Sequence, residues 1–398
     1  EDVVFTLQAI MNPEVLSSHR RSSFEDIVDV TTDGSYRVTF TLGKPYFKND
    51  LTVGGLKIIP RHFYDPDDLM GPVLIKSLLD GSAADGPHAD RLKQFAEHFN
   101  TSFNRKIMGS GGFMLVDPET DFVTQQKVVL TRNPNYWGNG LDLPKGPGFV
   151  DKYIYKTINN LDAAFIELTN GNLDLHGLQS LEFKEKSWTP EFMSQFLKGI
   201  RFSSSWVYIG WNNNHRIFGD TKVRQAMSHL VNRREMIDHL LFGLGEPVDG
   251  PIHPFRPEYN KNLKVYDYDP DLALDLLEEA GWTDSNNDGT LDKMIDGELV
   301  SFEMEFLVNS GNQLRKDIAL VFQSEAQDIG IVCKVTELDW GVFLERVTKE
   351  KNYDAITLGW SGGGGVAFPP DAYNVWHSKQ IDGGGFNFVS FRNDEVDG

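Results

Sequence analysis

The sequence predicts an α/β protein built on a parallel sheet, and three observations carry that expectation. Between positions 302 and 359, apolar runs alternate with helical segments: strand 302–308, helix 312–328 stopped at Gly330, strand 331–336, a short helix opened by Asp339, and strand 354–359. A shorter strand, helix and strand pattern occupies 152–175, with Asn160 placed to cap a helix and Gly171 to stop it. The apolar run ending Tyr208-Ile-Gly-Trp-Asn-Asn-Asn214 gives way to a helix near Asp220, a good N-cap. Successive parallel strands joined through helices take right-handed crossovers.

Taken in chain order, the first strong signal is a hairpin over 27–42. Tyr36, Val38, Phe40 and Leu42 alternate with Arg37, Thr39 and Thr41, and Asp33 with Gly34 supplies the turn, so one face is expected to be buried. A helix is expected from about 88 to 104. Gly109 to Gly112 then breaks the pattern and marks a subdomain boundary, after which Phe113-Met-Leu-Val116 runs on as a strand. From Asp220, Val223, Ala226, Met227, Leu230 and Val231 fall at helical spacing and form a core stripe. Asn232, three residues before Glu235, restarts the helix in a capping-box pattern, carrying Ile237, Leu240 and Leu241 to a stop at Gly243.

This topology places the functional edge. In open α/β sheets ligands lie beyond the carboxyl ends of the strands, which here present Asn309-Ser-Gly, Leu338-Asp-Trp and Gly359-Trp-Ser. Trp340 and Trp360 become candidates for ligand contact. Trp340 also suits packing on its own short helix, whereas Trp360 precedes four glycines that offer little local material to bury it.

Composition sets outer limits. With 58 Asp and Glu against 38 Lys and Arg, the 398-residue chain has a formal charge of −20, which argues against nucleic acid as a partner. No run of about 18 apolar residues is present, so nothing in the sequence reads as a membrane-spanning helix. The one cysteine, Cys333, lies in the apolar run 329–335, can form no internal disulfide, and reads as an inert buried thiol.

Several motifs carry chemistry on paper. Gly359-Trp-Ser-Gly-Gly363 matches a nucleophile elbow after a strand, but an elbow must run into a helix, and the glycines to Gly365 and Phe368-Pro-Pro370 forbid one. Asp284-Ser-Asn-Asn-Asp-Gly-Thr-Leu-Asp292 resembles nine positions of a calcium loop, with Asp284, Asn286, Asp288 and Asp292 as oxygen donors. The twelfth position is Ile295 rather than a bidentate Glu, so an acidic turn leading into a strand is the favoured reading. Ten scattered histidines without a His-Glu-x-x-His pattern point away from catalytic zinc. Gly109-Ser-Gly-Gly lacks the Lys-Ser/Thr of a phosphate loop. No cofactor is expected.

The segment 208–251, with Asp220 to Ile237 and Gly-Glu-Pro-Val-Asp-Gly-Pro251, resembles the signature region of the family 5 extracellular solute-binding proteins. Other stretches resemble that family in order: 1–7, Gly109 to Phe113, Arg132-Asn-Pro-Asn-Tyr-Trp-Gly138, 163–175, Asp269-Pro to Ala280-Gly-Trp282, Gly359-Trp360 and 387–397. The resemblance implies a periplasmic-binding-protein fold of type II with an extra subdomain, two α/β lobes joined by a hinge. It also implies an internal fragment that lacks both ends of the family's length. On that basis residues 1–108 form an accessory subdomain of the first lobe, 109–207 part of the first lobe and 208–398 most of the second, with the hinge crossing near Tyr208 to Asn212.

The function implied is that of the substrate-binding component of an ABC importer, capturing a peptide, nickel complex or oligosaccharide in the cleft and handing it to a membrane permease. It is implied to be a monomer, periplasmic or lipid-anchored, and not an enzyme. Expected ligand contacts are Tyr208, Trp211, Asn212, Trp340, Trp360, Ser361, Gly363 and Asp371. In the family's peptide receptors an Asp three residues after the Trp pairs with the peptide's α-ammonium. Here that position is Gly363, so a free amino terminus is expected to be poorly tolerated unless Asp371 or Asp339 substitutes. Two other classes share these features, a secreted carbohydrate-active enzyme with a carboxylate pair and a chemosensory binding module of the same fold.

Overall fold

Buried apolar residues form two clusters in each of the two units into which the backbone divides, Glu1–Ile158 and Asn159–Gly398. The computed structural model describes residues 1–103, 106–141, 150–203, 205–252, 254, 256–361, 372–382 and 385–398.

In the first unit, the helices Asp2–Met11 and Ala89–His98 face each other through Phe5 and Phe95, whose rings meet edge to face at 5.8 Å. Strands β1 (Ile27–Asp33) and β2 (Arg37–Leu42) form the expected antiparallel hairpin, with Asp33 opposite Arg37 and Gly34 at φ 67° in the turn. Ile27 and Val30, with Val38, Phe40 and Leu42, cover Leu7 and Ile10. Tyr36 departs from the expected buried face. Strand pairing starts at Arg37, which leaves Tyr36 in the turn and fully exposed.

Strands β3 (Phe113–Met114), β4 (Phe122–Val123), β5 (Lys127–Arg132) and β6 (Lys152–Lys156) make an antiparallel sheet centred on β5. The strand, helix and strand unit expected over 152–175 does not form. β6 pairs antiparallel with β5, the Leu161–Thr169 helix follows with its Asn160 cap, and 172–175 adopts no strand. The reason is local: the Asn172 amide donates to the Glu167 carbonyl and is consumed in closing the helix, while Leu175 remains exposed.

The second unit carries the long repeat. Strands β7 (Ser205–Trp211), β10 (Glu303–Asn309), β11 (Val332–Leu338) and β12 (Ala355–Ser361) form a sheet of order β11-β10-β12-β7. The β10 pairings to β11 and β12 are parallel, and β7 is an antiparallel edge strand. A small hairpin of β8 (Asp292–Ile295) and β9 (Glu298–Ser301) precedes β10.

One sheet face packs on the helices Thr221–His229, Pro270–Glu279 and Gln313–Asp328, burying Val223, Ala226, Met227, Leu277, Phe306, Ala319 and Phe322. The opposite face holds Leu307, Ile356 and Leu358 against Phe343, Val347, Tyr353 and Phe388. Helix ends follow the expected signals. Asp220, Asn232 and Asn312 accept amides from Lys222, Glu235 and Arg315, and Gly243 and Gly330 take positive φ at the stops. Asp339 opens its helix without a side-chain cap bond.

Candidate functional site

β10, β11 and β12 run parallel, so their carboxyl ends share one edge of the sheet. Antiparallel β7 begins at that edge, which sets Trp206 opposite Trp360 and Tyr208 opposite Leu358. Alternation along a strand then puts Trp206, Tyr208, Leu358 and Trp360 on one face. Tyr208 and Trp360 stack with ring centroids 6.4 Å apart and 9° between planes, and Trp206 tilts against Tyr208 at 5.3 Å. Phe386 and Phe388 reach the other side of Trp360 at 5.2 and 5.5 Å. The result is a half-buried aromatic cluster at the edge where an α/β sheet offers its ligand site.

Polar groups frame the cluster. Arg315, in the first turn of its helix, donates from Nη1 to Asn309 Oδ1 at 2.7 Å, and Asn309 is the last residue of β10. Gly359 allows the close approach of β7, because a Cβ there would sit 3.0 Å from the Trp206 carbonyl oxygen, while Arg315 Nη2 at 3.5 Å would be in ordinary contact. Burial pushes the Tyr208 hydroxyl above its ordinary titration range, against smaller opposing effects of Arg315 and of a hydrogen bond from Trp360, so the phenol stays protonated. Burial also lowers the Arg315 pKa, with the guanidinium still charged at neutral pH. On the neighbouring strand end, Ser310 Oγ donates to Asp339 Oδ1 at 3.3 Å. Trp340 stacks on Phe343 at 5.8 Å and 12°, leaving about half of its surface exposed (49%).

The other expected contacts lie elsewhere. Trp211 stands at the far end of β7, opposite Ala355, and is buried among Phe218, Phe306 and Phe322 with ring centroids 5.3, 6.4 and 5.3 Å away. Contrary to expectation, its ring belongs to the core. Asn212 is likewise spent internally: its amide donates to the Lys351 and Tyr353 carbonyls at 3.0 and 2.8 Å, and its oxygen accepts the Asn214 amide. Ser361 ends β12 beside Trp360. Gly363 and Asp371 lie outside the described residues.

The acidic loop binds itself. Asp284 accepts the Asp288 and Gly289 amides, Asp288 accepts Thr290, and buried Asp292 accepts the Ser285 hydroxyl at 2.6 Å. Among the described residues, no three His, Cys, Asp or Glu side chains gather as a metal site. A cavity of about 440 Å³ is lined by residues including Leu168, His176, Phe183, Phe192 and Leu244, and by none of the expected ligand contacts.

The model for the middle region of the bacterial extracellular solute-binding proteins of family 5 matches residues 1–383. The chain belongs to that family. This is a family of binding proteins rather than enzymes, and the two-lobed α/β fold expected from the sequence is the family's fold. The family 5 chain is 30% identical to the oligopeptide-binding protein AppA of Bacillus subtilis, over 100% of its own length and 65% of that relative's. It covers about half of two further relatives, 48% of a probable ABC transporter-binding protein of Deinococcus radiodurans and 49% of the heme-binding protein A of Haemophilus influenzae.

Among solved structures, Bacillus subtilis AppA in complex with a nonapeptide superposes with a TM-score of 0.76 at 30% identity, covering 100% of this chain and 69% of that one. NikZ of Campylobacter jejuni in complex with Ni(L-His) superposes at 0.73 and 26% identity, with the same coverage.

Sequence reasoning missed Trp206, Phe386, Phe388 and Arg315. Trp206 was within reach, since it lies two residues before Tyr208 on the same strand face. Phe386 and Phe388 join the cluster through tertiary contact, and Arg315 had no signal beyond its place in a helix's first turn.

Proposed function

We propose that this chain is the ligand-capturing part of an ABC importer's solute-binding protein, and that its ligand is a peptide or modified peptide. One observation carries the reading: identity of 30% along the whole chain to an oligopeptide-binding protein whose structure holds a nonapeptide. The aromatic cluster at the carboxyl edge supports it, because flat rings with a few convergent polar groups suit peptide backbone and apolar side chains. Trp360, Ser361, Gly363, Tyr208, Trp340 and Asp371 are the proposed contacts. Binding drives no chemistry. It shifts the population toward a closed form that the membrane permease reads.

The division into 1–108, 109–207 and 208–398, with a hinge near Tyr208 to Asn212, belongs to the same proposal. So do the monomeric state and a periplasmic or lipid-anchored location. Gly363, where the family's peptide receptors have an anchoring Asp, favours ligands with a blocked amino terminus, or a neutral oligosaccharide stacked on Trp360.

Calorimetry tests the reading directly. Micromolar binding of nonapeptides by the protein, with N-acetylation tolerated, is the expected result. Binding of β-linked oligosaccharides without any peptide binding would replace peptide by sugar. A copurified ligand seen by native mass spectrometry provides the independent check.

A further inference from the structure

The cavity of about 440 Å³ in the second unit takes no part in the aromatic site described above. Its size falls in the range of small-ligand pockets, and its wall has their composition. Leu168 comes from the Leu161–Thr169 helix and Phe192 from the Pro190–Gln195 helix, with Phe183 and Phe196 beside them. Phe192 and Phe196 meet at 4.9 Å between ring centroids, so the aromatic part of the wall is packed against itself.

Three further lining residues are apolar and stand in water. Leu175, Leu197 and Ile200 are 91%, 103% and 65% exposed, and covering them with a ligand is favourable in proportion to the apolar area withdrawn from water. The charged lining groups are already matched. Lys198 Nζ donates to Ser187 Oγ at 2.7 Å and to the Phe183 carbonyl at 3.2 Å, and it lies 3.3 Å from the Trp188 ring centroid. Asp174 and Arg201 are exposed and solvated where they stand. The cavity therefore suits an apolar group rather than an ion.

Chain order places it within a ligand's reach of the Trp360 edge. Ile200 is followed at position 205 by Ser205, which pairs with Ser361 at the carboxyl edge, and that stretch of chain spans at most about 18 Å when extended. An extended nonapeptide spans about 30 Å.

We propose that this cavity is a side-chain pocket of the ligand site and takes one large apolar or aromatic side chain of the peptide. The inference rests on the peptide reading above and narrows it to peptides that carry such a residue.

The test uses calorimetry on the whole protein with a nonapeptide of alanine and glycine, and with its versions that carry a single phenylalanine at each position in turn. At one position phenylalanine should tighten binding about tenfold or more. Gly177 and Gly199 line the cavity, and a Cβ on either would meet no atom within 4 Å, so Gly177→Phe and Gly199→Phe can occupy the space without a clash. Either should erase the phenylalanine gain. Leu197→Asp, at a fully exposed position, should reduce the gain and leave the melting temperature unchanged. A phenylalanine that brings no gain at any position, as when another part of the protein fills the cavity, overturns the inference and leaves the peptide reading standing. A gain that survives in all three variants also overturns it, because the recognising pocket then lies elsewhere. Failure of every peptide to bind the unaltered protein overturns both.

Discussion

Trp360 lies parallel to Tyr208, 6.4 Å between ring centroids and 9° between planes, across the antiparallel pairing of β12 and β7. The stack joins the strand end that sequence topology nominates for ligand contact to the strand that begins at the same edge. Each ring packs on the other, with Phe388 beside Trp360, so this edge is ordered by its own aromatic contacts.

Removing one member should therefore affect both stability and binding. Trp360→Ala is expected to weaken peptide binding by about 1–3 kcal/mol and to destabilise the fold by about 1–3 kcal/mol, with Trp360→Phe recovering most of the stability. Calorimetry and urea unfolding measure the two effects. Unchanged affinity in a destabilised protein would reduce Trp360 to a packing residue.

Asn212→Ala should behave differently. The side chain bridges the Asn214 amide to the Lys351 and Tyr353 carbonyls in a buried site, so its loss should lower the unfolding free energy by about 1–3 kcal/mol. Peptide affinity of the folded variant should stay within a factor of two. A large affinity loss without destabilisation would return Asn212 to the ligand site.

Gly210→Ala tests the close approach of the C-terminal segment to β7. A Cβ there would meet Val389 Cγ1 at 2.8 Å and Tyr208 Cε2 at 3.0 Å, closer than packed carbons tolerate. Overpacking of this kind costs about 1–3 kcal/mol, read as a lower urea midpoint at constant slope.

Cys333 offers a pH test with one thiol to count. Burial pushes its pKa from 9.0 up to about 12, with a smaller contribution from Asp354. A raised thiol pKa stabilises the fold fully below the unfolded value and loses that contribution as pH rises from about 9 towards 12. Iodoacetamide should leave the folded protein unlabelled at pH 8 and alkylate Cys333 once urea unfolds it. Rapid labelling of native protein would show the thiol to be accessible.

The acidic loop gives a metal test. Calcium addition or EDTA should leave the melting temperature unchanged. Asp284→Ala, which removes the acceptor for the Asp288 and Gly289 amides, should cost about 1 kcal/mol. A calcium-dependent rise of several degrees would reinstate the loop as a metal site.

Local physics made much of the fold legible in the sequence. Asp220, Asn232 and Asn312 at helix starts, Gly243 and Gly330 at helix stops, and the apolar periods of 223–231 and 302–359 act within a few residues of themselves, and the structure follows them. The carboxyl edge as the place for Trp360 came from the same information, because parallel order fixes which strand ends share an edge. The failures have an equally local cause: Tyr36 lost its strand to the turn, and the strand expected at 172 lost its first amide to helix closure.

What lies against that edge was a tertiary decision. The antiparallel entry of β7 sent Trp206 to the carboxyl edge and Trp211 into the core, although both sit on one seven-residue strand. Phe386 and Phe388 reached Trp360 across a separation in sequence that no periodicity encodes. Arg315 reached the Asn309 side chain only when its helix packed against the end of β10. Caps, stops and strand alternation depend on neighbours in the chain, whereas partners, exposure and charge balance depend on neighbours in space.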